Sequence, residues 1–473
     1  MSDGSLLTFR TRASLIRPLG KPYDNWDAEK TYRVPVILIA FPDCNFTVED
    51  PQQYYDSLFN ETGFNRRSGK GCVAEYFRDQ SRGQFNVKFD VVGPVRVSTG
   101  QKSSGSYGTG VFKEAVSLTN DVLNYADYDW YGNGRVDVVI FVYAGYGGNE
   151  TKAVAKGCIW PNTSSFSTVS LDGVSVSDYS ASPELWSNDA LCGVGTICHE
   201  FCHVLGLPDL YPTSGDGFSV LDEWDLMDGG NYSDDGWCPP NLSIHEREYL
   251  GWQSPEELTV SRSIMDMPSF SSSGRAYRVT NDANPSEYYL LENRQWDGWD
   301  YMLPNHGLLI THVDFDKSAW LSNTVNTRRT HYRVAYFNAD GLDYNYYDTN
   351  WTGGKYGDDG RTRIMRNTTY PYTDSLGVVH NELTATSTPA ATVFHAGPDG
   401  SLLMGKLITD IREADGLVSF RFFASVDDGI NVTSADVYPV AYYDLRGCKL
   451  VLPPESGLYI IKYSDGSTKK MIR

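Results

Sequence analysis

The residues best suited to chemistry lie together in Thr196-Ile-Cys-His-Glu-Phe-Cys-His-Val-Leu-Gly-Leu-Pro-Asp209. On a helix, His199 and His203 are four positions apart, about 40° around the axis, so both imidazoles project from one face. That spacing lets two neutral nitrogens bind one Zn²⁺ at about 2.0–2.1 Å. Glu200 stands next to the first histidine, where its carboxylate reaches a water on the metal without ligating it. It would take that water's proton during attack on a carbonyl and return it to the leaving amine. Gly206 can adopt the left-handed conformation that ends a helix, and Pro208 prevents its resumption. The turn then carries Asp209 back as a third protein ligand. A fourth position stays open for water, the arrangement of catalytic rather than structural zinc.

Other readings compete with this one. The short H-E-x-x-H pattern also arises by chance, and Gly206 and Asp209 at their offsets weigh against that. A third ligand from Glu223 or Glu246 is the rival layout, since His245, Glu246 and Glu248 form a charged cluster downstream. His306, His312 and His331 are candidates for a second metal site, although strand histidines are more often hydrogen-bonded structural residues. Tyr232 is a candidate hydrogen-bond donor to a tetrahedral oxyanion. Ordinary packing explains it equally well in a chain with 32 tyrosines.

The elements that must hold these residues show in the hydrophobic pattern. Val34–Phe41 reads as a buried strand, Val87–Val95 as a second, and 136–142 as a third. Between the first two lies a helix over Val73–Ser81, closing at Gly83. Residues 111–124 place Val111, Ala115, Leu118 and Val122 at helical spacing, and a long apolar helix spans 190–205. After Trp252 the pattern becomes strands separated by turns: Glu287–Asn293, Gly307–Val313, His331–Phe337 and Val418–Phe423. The expected class is α+β: a zinc protease domain, a β-sandwich-like domain and a small C-terminal β module. The expected divisions are a leader at 1–30, a catalytic domain at 31–252, a β-rich accessory domain at 253–426 and a terminal module at 427–473.

Composition narrows the function classes. The 473 residues carry 40 Lys+Arg against 60 Asp+Glu, a formal charge of −20, which argues against a nucleic-acid partner. With 41% apolar and 13% aromatic residues, global disorder is excluded. No apolar run reaches the roughly 20 residues of a membrane-spanning helix. Eight cysteines are too few for a disulfide framework and form no C-x-x-C pair. Cys198 and Cys202 read as small core residues of the zinc helix. The N-terminus shows no basic and apolar export signal, which leaves either an intracellular protein or a start after a removed signal peptide.

H-E-x-x-H-x-x-G-x-x-D followed by Leu210-Tyr211 resembles the immune inhibitor A-like secreted metalloproteases, which are similar to metzincins but use Asp as third ligand. Trp224-Asp-Leu-Met-Asp-Gly-Gly-Asn-Tyr232 resembles their Met-turn segment, which implies that Met227 floors the metal. With Gly206, this favours Asp209 over Glu223 or Glu246. Leu250-Gly-Trp252 resembles the close of their catalytic domain. Tyr76-Phe77, Ile159-Trp-Pro161, Leu291-Glu-Asn-Arg294 and Gly298-Trp-Asp300 are also in register. The resemblance runs over about 32–423 and implies a secreted zinc endopeptidase acting on protein or peptide substrates.

Two departures stand out. Asp129-Trp-Tyr-Gly-Asn-Gly-Arg-Val-Asp137 occupies the place of a calcium loop in relatives, with Tyr131 and Asn133 replacing acids. Asp129, Asn133, the Arg135 carbonyl and Asp137 remain candidate Ca²⁺ ligands with fewer charges, and a plain Gly-Asn turn is the alternative. Tyr143 stands where relatives often carry His, so no catalytic role belongs there. The last 47 residues, with Tyr443-Asp-Leu-Arg-Gly447 and a strand-rich end, resemble the sorting modules of type IX secretion substrates. That implies a partner in the secretion machinery and a secreted, cell-surface or periplasmic location; a structural appendage is the alternative. A binding or adhesion protein on a protease scaffold is the competing function, and the intact Glu200 argues against it.

Overall fold

A computed structural model describes residues 26–149, 153–186, 188–214, 220–342 and 365–427. Of the terminal part it describes 439–444, 447, 449–450, 458–463 and 468–472. Residues 1–25 of the expected leader, the loop at 343–356 and the turn at 465–466 lie outside the described residues.

The first strand, β1 (Thr31–Ala40), is apolar almost without interruption because it is covered on both faces. Its alternate residues enter different cores: Val34, Val36 and Leu38 join Phe77 and Phe201, while Ile37, Ile39 and the following Phe41 join Phe112 and Phe141. On the first face pack α1 (Pro51–Asn60) and α2 (Val73–Gln80). The second helix starts on a capping box between Cys72 and Glu75. β2 (Asn86–Arg96) runs parallel to β1 on one side. On the second face lies α3 (Thr109–Leu118). β3 (Val139–Tyr146) is parallel to β1, β4 (Asn162–Leu171) is antiparallel to β5 (Val174–Leu185), and β5 is parallel to β3. The order is β2-β1-β3-β5-β4.

The helix expected over 111–124 stops at Leu118, and Leu118 and Val122 are exposed. Thr119 ends it: its N–H donates to the Ala115 carbonyl, and its hydroxyl is shared between that turn and Tyr125. The helix expected from 190 begins only at Gly195, as α4 (Gly195–Leu205). Before it the chain is held extended by a bond from Cys192 N–H to the Glu184 carbonyl. Gly193 and Gly195 then pass against the backbone of 231–237, where a β-carbon would lie 2.3 Å from Gly236 and 2.1 Å from the Asn231 carbonyl oxygen. Trp26 packs on Phe85 at 4.7 Å and donates to the Leu250 carbonyl.

Beyond α5 (Ile244–Tyr249) the chain is mainly strands. β6 (Glu256–Glu257), β8 (Ala276–Asn281), β9 (Asn284–Arg294), β10 (Gly307–Asp314) and β11 (Val334–Tyr336) form one sheet, in the order β11-β10-β9-β8-β6. β7 (Arg262–Met267) pairs with Leu417–Phe423, which pairs with Leu407–Ala414, as a second sheet. The two share one core through residues such as Tyr289, Ile310, Ile408 and Phe420. Trp299, Val313, Trp320 and Val334 of this region belong instead to the core around α4, so hydrophobic packing is continuous across residue 252. At the end of the chain Lys449–Leu450, Pro439–Tyr443, Leu458–Tyr463 and Thr468–Ile472 form a four-stranded antiparallel sheet in that order. The class is mixed α+β, with several β sheets beyond the first.

Candidate metal and catalytic site

Every residue of α4 is buried, because the helix is wedged between the first sheet and the segment 226–237. Phe201 reaches Phe77 of α2 edge-on at 4.9 Å and stacks on Phe85 at 6.2 Å. Burial of one such ring contributes about 1.5–3 kcal/mol. The helix ends at Gly206 (φ 108°), where the N–H groups of Gly206 and Leu207 both donate to the Cys202 carbonyl. This left-handed closure suits glycine and turns the chain toward Asp209.

The turn brings His199, His203 and Asp209 together, with one donor atom from each inside 4.8 Å of the others. Among the described residues it is the one such group of three or more. Asp209 Oδ1 lies 3.3 Å from His199 Nε2 and 3.1 Å from His203 Nε2. Each imidazole is held from behind: His199 Nδ1 is 2.9 Å from the Leu226 carbonyl oxygen and His203 Nδ1 is 2.8 Å from that of Leu207. A carbonyl accepts only, so Nδ1 carries the proton and Nε2 of a neutral ring presents a lone pair. Two lone pairs and a carboxylate oxygen converging in a buried pocket call for a cation between them. Burial opposes a charged His203, yet Asp209 outweighs it and pushes the imidazole up to about 9, so the carboxylate favours positive charge, a proton or a metal ion, at Nε2. The residues fit a divalent ion of zinc's ligand preferences.

Glu200 is buried beside this group. Burial raises its carboxyl above the ordinary range, against the pull of His199 and His203. Thr163 on β4 donates to Glu200 Oε2 at 2.9 Å or to the Glu200 carbonyl at 2.7 Å, which aims the side chain. Met227 is fully buried, and its carbonyl accepts from Leu210 N–H at 2.8 Å. The stretch Leu226-Met227 thus braces both His199 and the turn that carries Asp209.

The far side of that turn is held by a segment 114 residues away. Asn323 Oδ1 accepts from the Asp209 N–H and its Nδ2 donates to Asp209 Oδ2, both at 2.7 Å. Around it, Asn326 Nδ2 donates to the Leu210 carbonyl, Trp320 Nε1 to that of Gly206, and Thr213 Oγ1 to that of Asn323. Asn323 sits at φ 54°, a left-handed conformation that Asn tolerates better than most residues. Neither Thr163 nor Asn323 was visible as a site residue in the sequence, because no local spacing connects them to the motif.

The match with known proteins falls on this segment. Residues 142–254 match the family model of the immune inhibitor A peptidase M6 catalytic domain. The group His199, His203 and Asp209 corresponds to the zinc site of that family. The chain is also 25% identical over 296 residues to the pre-pro-metalloprotease PrtV of Vibrio cholerae serotype O1, covering 49% of this chain and 32% of that protein. It is 24% identical over 283 residues to immune inhibitor A of Bacillus thuringiensis subsp. alesti, covering 48% and 40%. The chain therefore spans well under half the length of these curated relatives.

The other sequence candidates fall elsewhere. Glu246 does not approach the metal group; it caps α5, accepting from Ser243 N–H and hydroxyl. Burial pushes its carboxyl up to about 7. Glu223 is likewise outside the group. His306 pairs with Glu413, His312 with Glu287 and His331 with Asp314, so the three histidines meet separate carboxylates rather than one another. In the candidate calcium loop, the Asp129 carboxylate accepts from the N–H groups of Asn133 and Gly134, and Asp137 accepts from that of Trp130. The Arg135 side chain pairs with Asp178. Tyr143 is buried with its hydroxyl on the Ile159 carbonyl. Tyr232 lines the pocket shared by His199 and Glu200, 3.5 Å from Asn149 Nδ2. Seven cysteines are described; Cys198 and Cys202 are core residues of α4.

Proposed function

We propose that the chain is a zinc-dependent endopeptidase. The observation that carries this is the convergence of His199, His203 and Asp209 at the end of one buried helix, with Glu200 in the same pocket. Zinc held by these three residues would supply Lewis-acid polarisation of a peptide carbonyl and of water. Glu200, aimed by Thr163, is the proton carrier: it accepts a proton from water and delivers it to the departing amine nitrogen. Tyr232, on the rim of the same pocket, is the candidate donor to oxygen on the polarised carbonyl. Met227 serves as the apolar floor, and the helical turn and loop over Trp320–Asn326 act as a buttress for the ligand turn.

Protein or peptide substrates follow from this reading and from the name of a matched pre-pro-metalloprotease, and an extracellular site of action is proposed with them. Among the described residues no helix is long and apolar enough to cross a membrane. The terminal four-stranded sheet, with its basic final strand Thr468–Ile472, is proposed as an address for a secretion machinery of type IX character. Calcium at Asp129–Asp137 is proposed only as a weak stabilising site.

The test is direct. Purified protein should carry one zinc per chain and hydrolyse casein, lose activity to a chelator and regain it with zinc. Absence of zinc and of hydrolysis both before and after zinc addition refutes the proposal and favours the binding-protein reading.

A further inference from the structure

A second cavity, of about 670 Å³, opens beside α2, and its lining shares no residue with the pocket of His199 and Glu200. Lys70 comes from the loop before α2, Arg78 and Asp79 from its last turn, and Arg82 from the turn that follows. Ser271 of the short helix Phe270–Ser273 and Trp299 of the helical turn Gly298–Met302 close the other side. Three cations thus meet one carboxylate, in a chain whose formal charge is −20. All three cations are exposed, so a ligand reaches them without opening the fold.

The protein itself makes little use of these charges. Asp79 Oδ2 already accepts from Trp299 Nε1 at 2.9 Å. Arg78 lies 3.4 Å from Glu75 and 3.5 Å from Asp79, both long for a charged pair. Lys70 Nζ sits 3.8 Å from the centre of the Tyr301 ring and has no carboxylate partner among the described residues. The Arg82 guanidinium and the Ser271 hydroxyl have no hydrogen-bond or ion-pair partner among those residues.

The backbone supplies a second sign. Arg82 has φ 52°, a left-handed conformation that helix ends ordinarily give to Gly or Asn. Among the described non-glycine residues at positive φ, all but two are Asp or Asn, whose short polar side chains bond locally. One exception, Arg67, is held by Asp234 and Asp235. Arg82 is the other, and it bears the strain with no internal pairing. Strained residues of this kind collect where binding needs them.

We infer that this cavity binds an acidic stretch of polypeptide, through the carboxylates of closely spaced Asp or Glu side chains. A planar guanidinium meets a carboxylate with two parallel N–H bonds, and Arg78 and Arg82 offer two such forks. The Lys70 ammonium and the Ser271 hydroxyl add donors beside them. A long sulfated or phosphorylated polymer would run past three cations onto a surface with excess acid, which repels it. A short acidic segment confines its charge to the cavity.

The test is fluorescence anisotropy with a labelled peptide of alternating Glu and Gly. The full chain carries zinc and Glu200→Gln, so that the peptide stays whole. Binding in the micromolar range is expected, about tenfold weaker for the peptide with Gln in place of Glu, and weakened by salt. Arg82→Gly suits the left-handed backbone and removes only the side chain, so it should fold at least as stably and weaken binding by about tenfold. Lys70→Gln should weaken binding by about threefold. Binding weaker than about 1 mM overturns the assignment, as does equal affinity for the Gln peptide or unchanged affinity in both variants. A heparin oligosaccharide that binds more tightly than the peptide, and loses affinity in the same variants, overturns the choice of a peptide in favour of a sulfated polysaccharide. None of these outcomes touches the peptidase reading, which casein hydrolysis by the unmodified chain tests separately.

Discussion

Asn323 offers the sharpest test of how the metal centre is held. Replacing it by Ala removes both 2.7 Å bonds to Asp209, one of them to the carboxylate that faces the histidines. A hydrogen bond to a charged group contributes about 1.5–3 kcal/mol and a neutral one about 0.5–1.5 kcal/mol. Together they hold the ligand turn by roughly 2–4 kcal/mol, shared between metal affinity and stability of the metal-free fold. Outer partners of this kind typically alter metal affinity by about 10–100-fold. Ala carries a second defect, because Asn323 is at φ 54° and an L-residue without a polar side chain is strained there by about 1–2 kcal/mol. Asn323→Gly separates the effects, since Gly accepts that conformation and deletes only the amide. Zinc affinity should fall by the same 10–100-fold in both variants, while thermal stability of the metal-free protein falls further in the Ala variant. Chelator competition measures the first and calorimetry the second. Wild-type zinc affinity, within twofold, in the Gly variant would refute the argument that Asn323 orients the ligand.

Three further outcomes follow. Glu200→Gln should keep stoichiometric zinc and lower peptide hydrolysis by at least a hundredfold, measured by metal analysis alongside a fluorogenic assay; near-normal turnover sinks the proton-carrier role. Stripping zinc with a chelator should lower the melting temperature by several degrees, since about 1,000-fold saturation over Kd stabilises the fold by roughly 4 kcal/mol. The third concerns Glu287. Burial opposes its ionisation, but bonds from His312, the Phe394 N–H and Asn281 hold its carboxyl at about 2, below the ordinary 4.5. A depressed carboxyl stabilises the fold above its unfolded value, and that contribution is lost as pH falls from 4.5 to about 2. Glu287→Gln should therefore be less stable than wild type at pH 7 and flatter across that acid window in urea titrations; parallel curves for the two proteins would contradict the pairing.

Much of the first domain is legible in sequence because its signals are local. The uninterrupted apolar run of β1 announces a strand covered on both faces, and the helix expected over Val73–Ser81 is α2. The failures come where distant contacts intervene. Leu118 and Val122 continue a helical period, but Thr119 spends its hydrogen bonds on ending the turn and meeting Tyr125. The apparent helix start near residue 190 is overruled by the extended backbone tied to Glu184 and by the close pass of Gly193 and Gly195. Trp26 reads as part of a polar leader, yet it completes an aromatic cluster with Phe85 and Trp252.

The sequence by itself determined the metal ligands and the adjacent carboxylate, because helical periodicity and one glycine-closed turn put His199, Glu200, His203 and Asp209 in one place. It also carried the choice of Asp209 over Glu223 or Glu246, through Gly206 and the Met227 segment. Only the tertiary structure decided what makes those groups function as a unit. Thr163, 37 residues from Glu200, and Asn323, 114 residues from Asp209, arrive from separate strands and turns. The physical reason is that ligand spacing is a property of one helix and its cap, whereas orientation comes from hydrogen bonds across a packed core. Those bonds have no period in the chain.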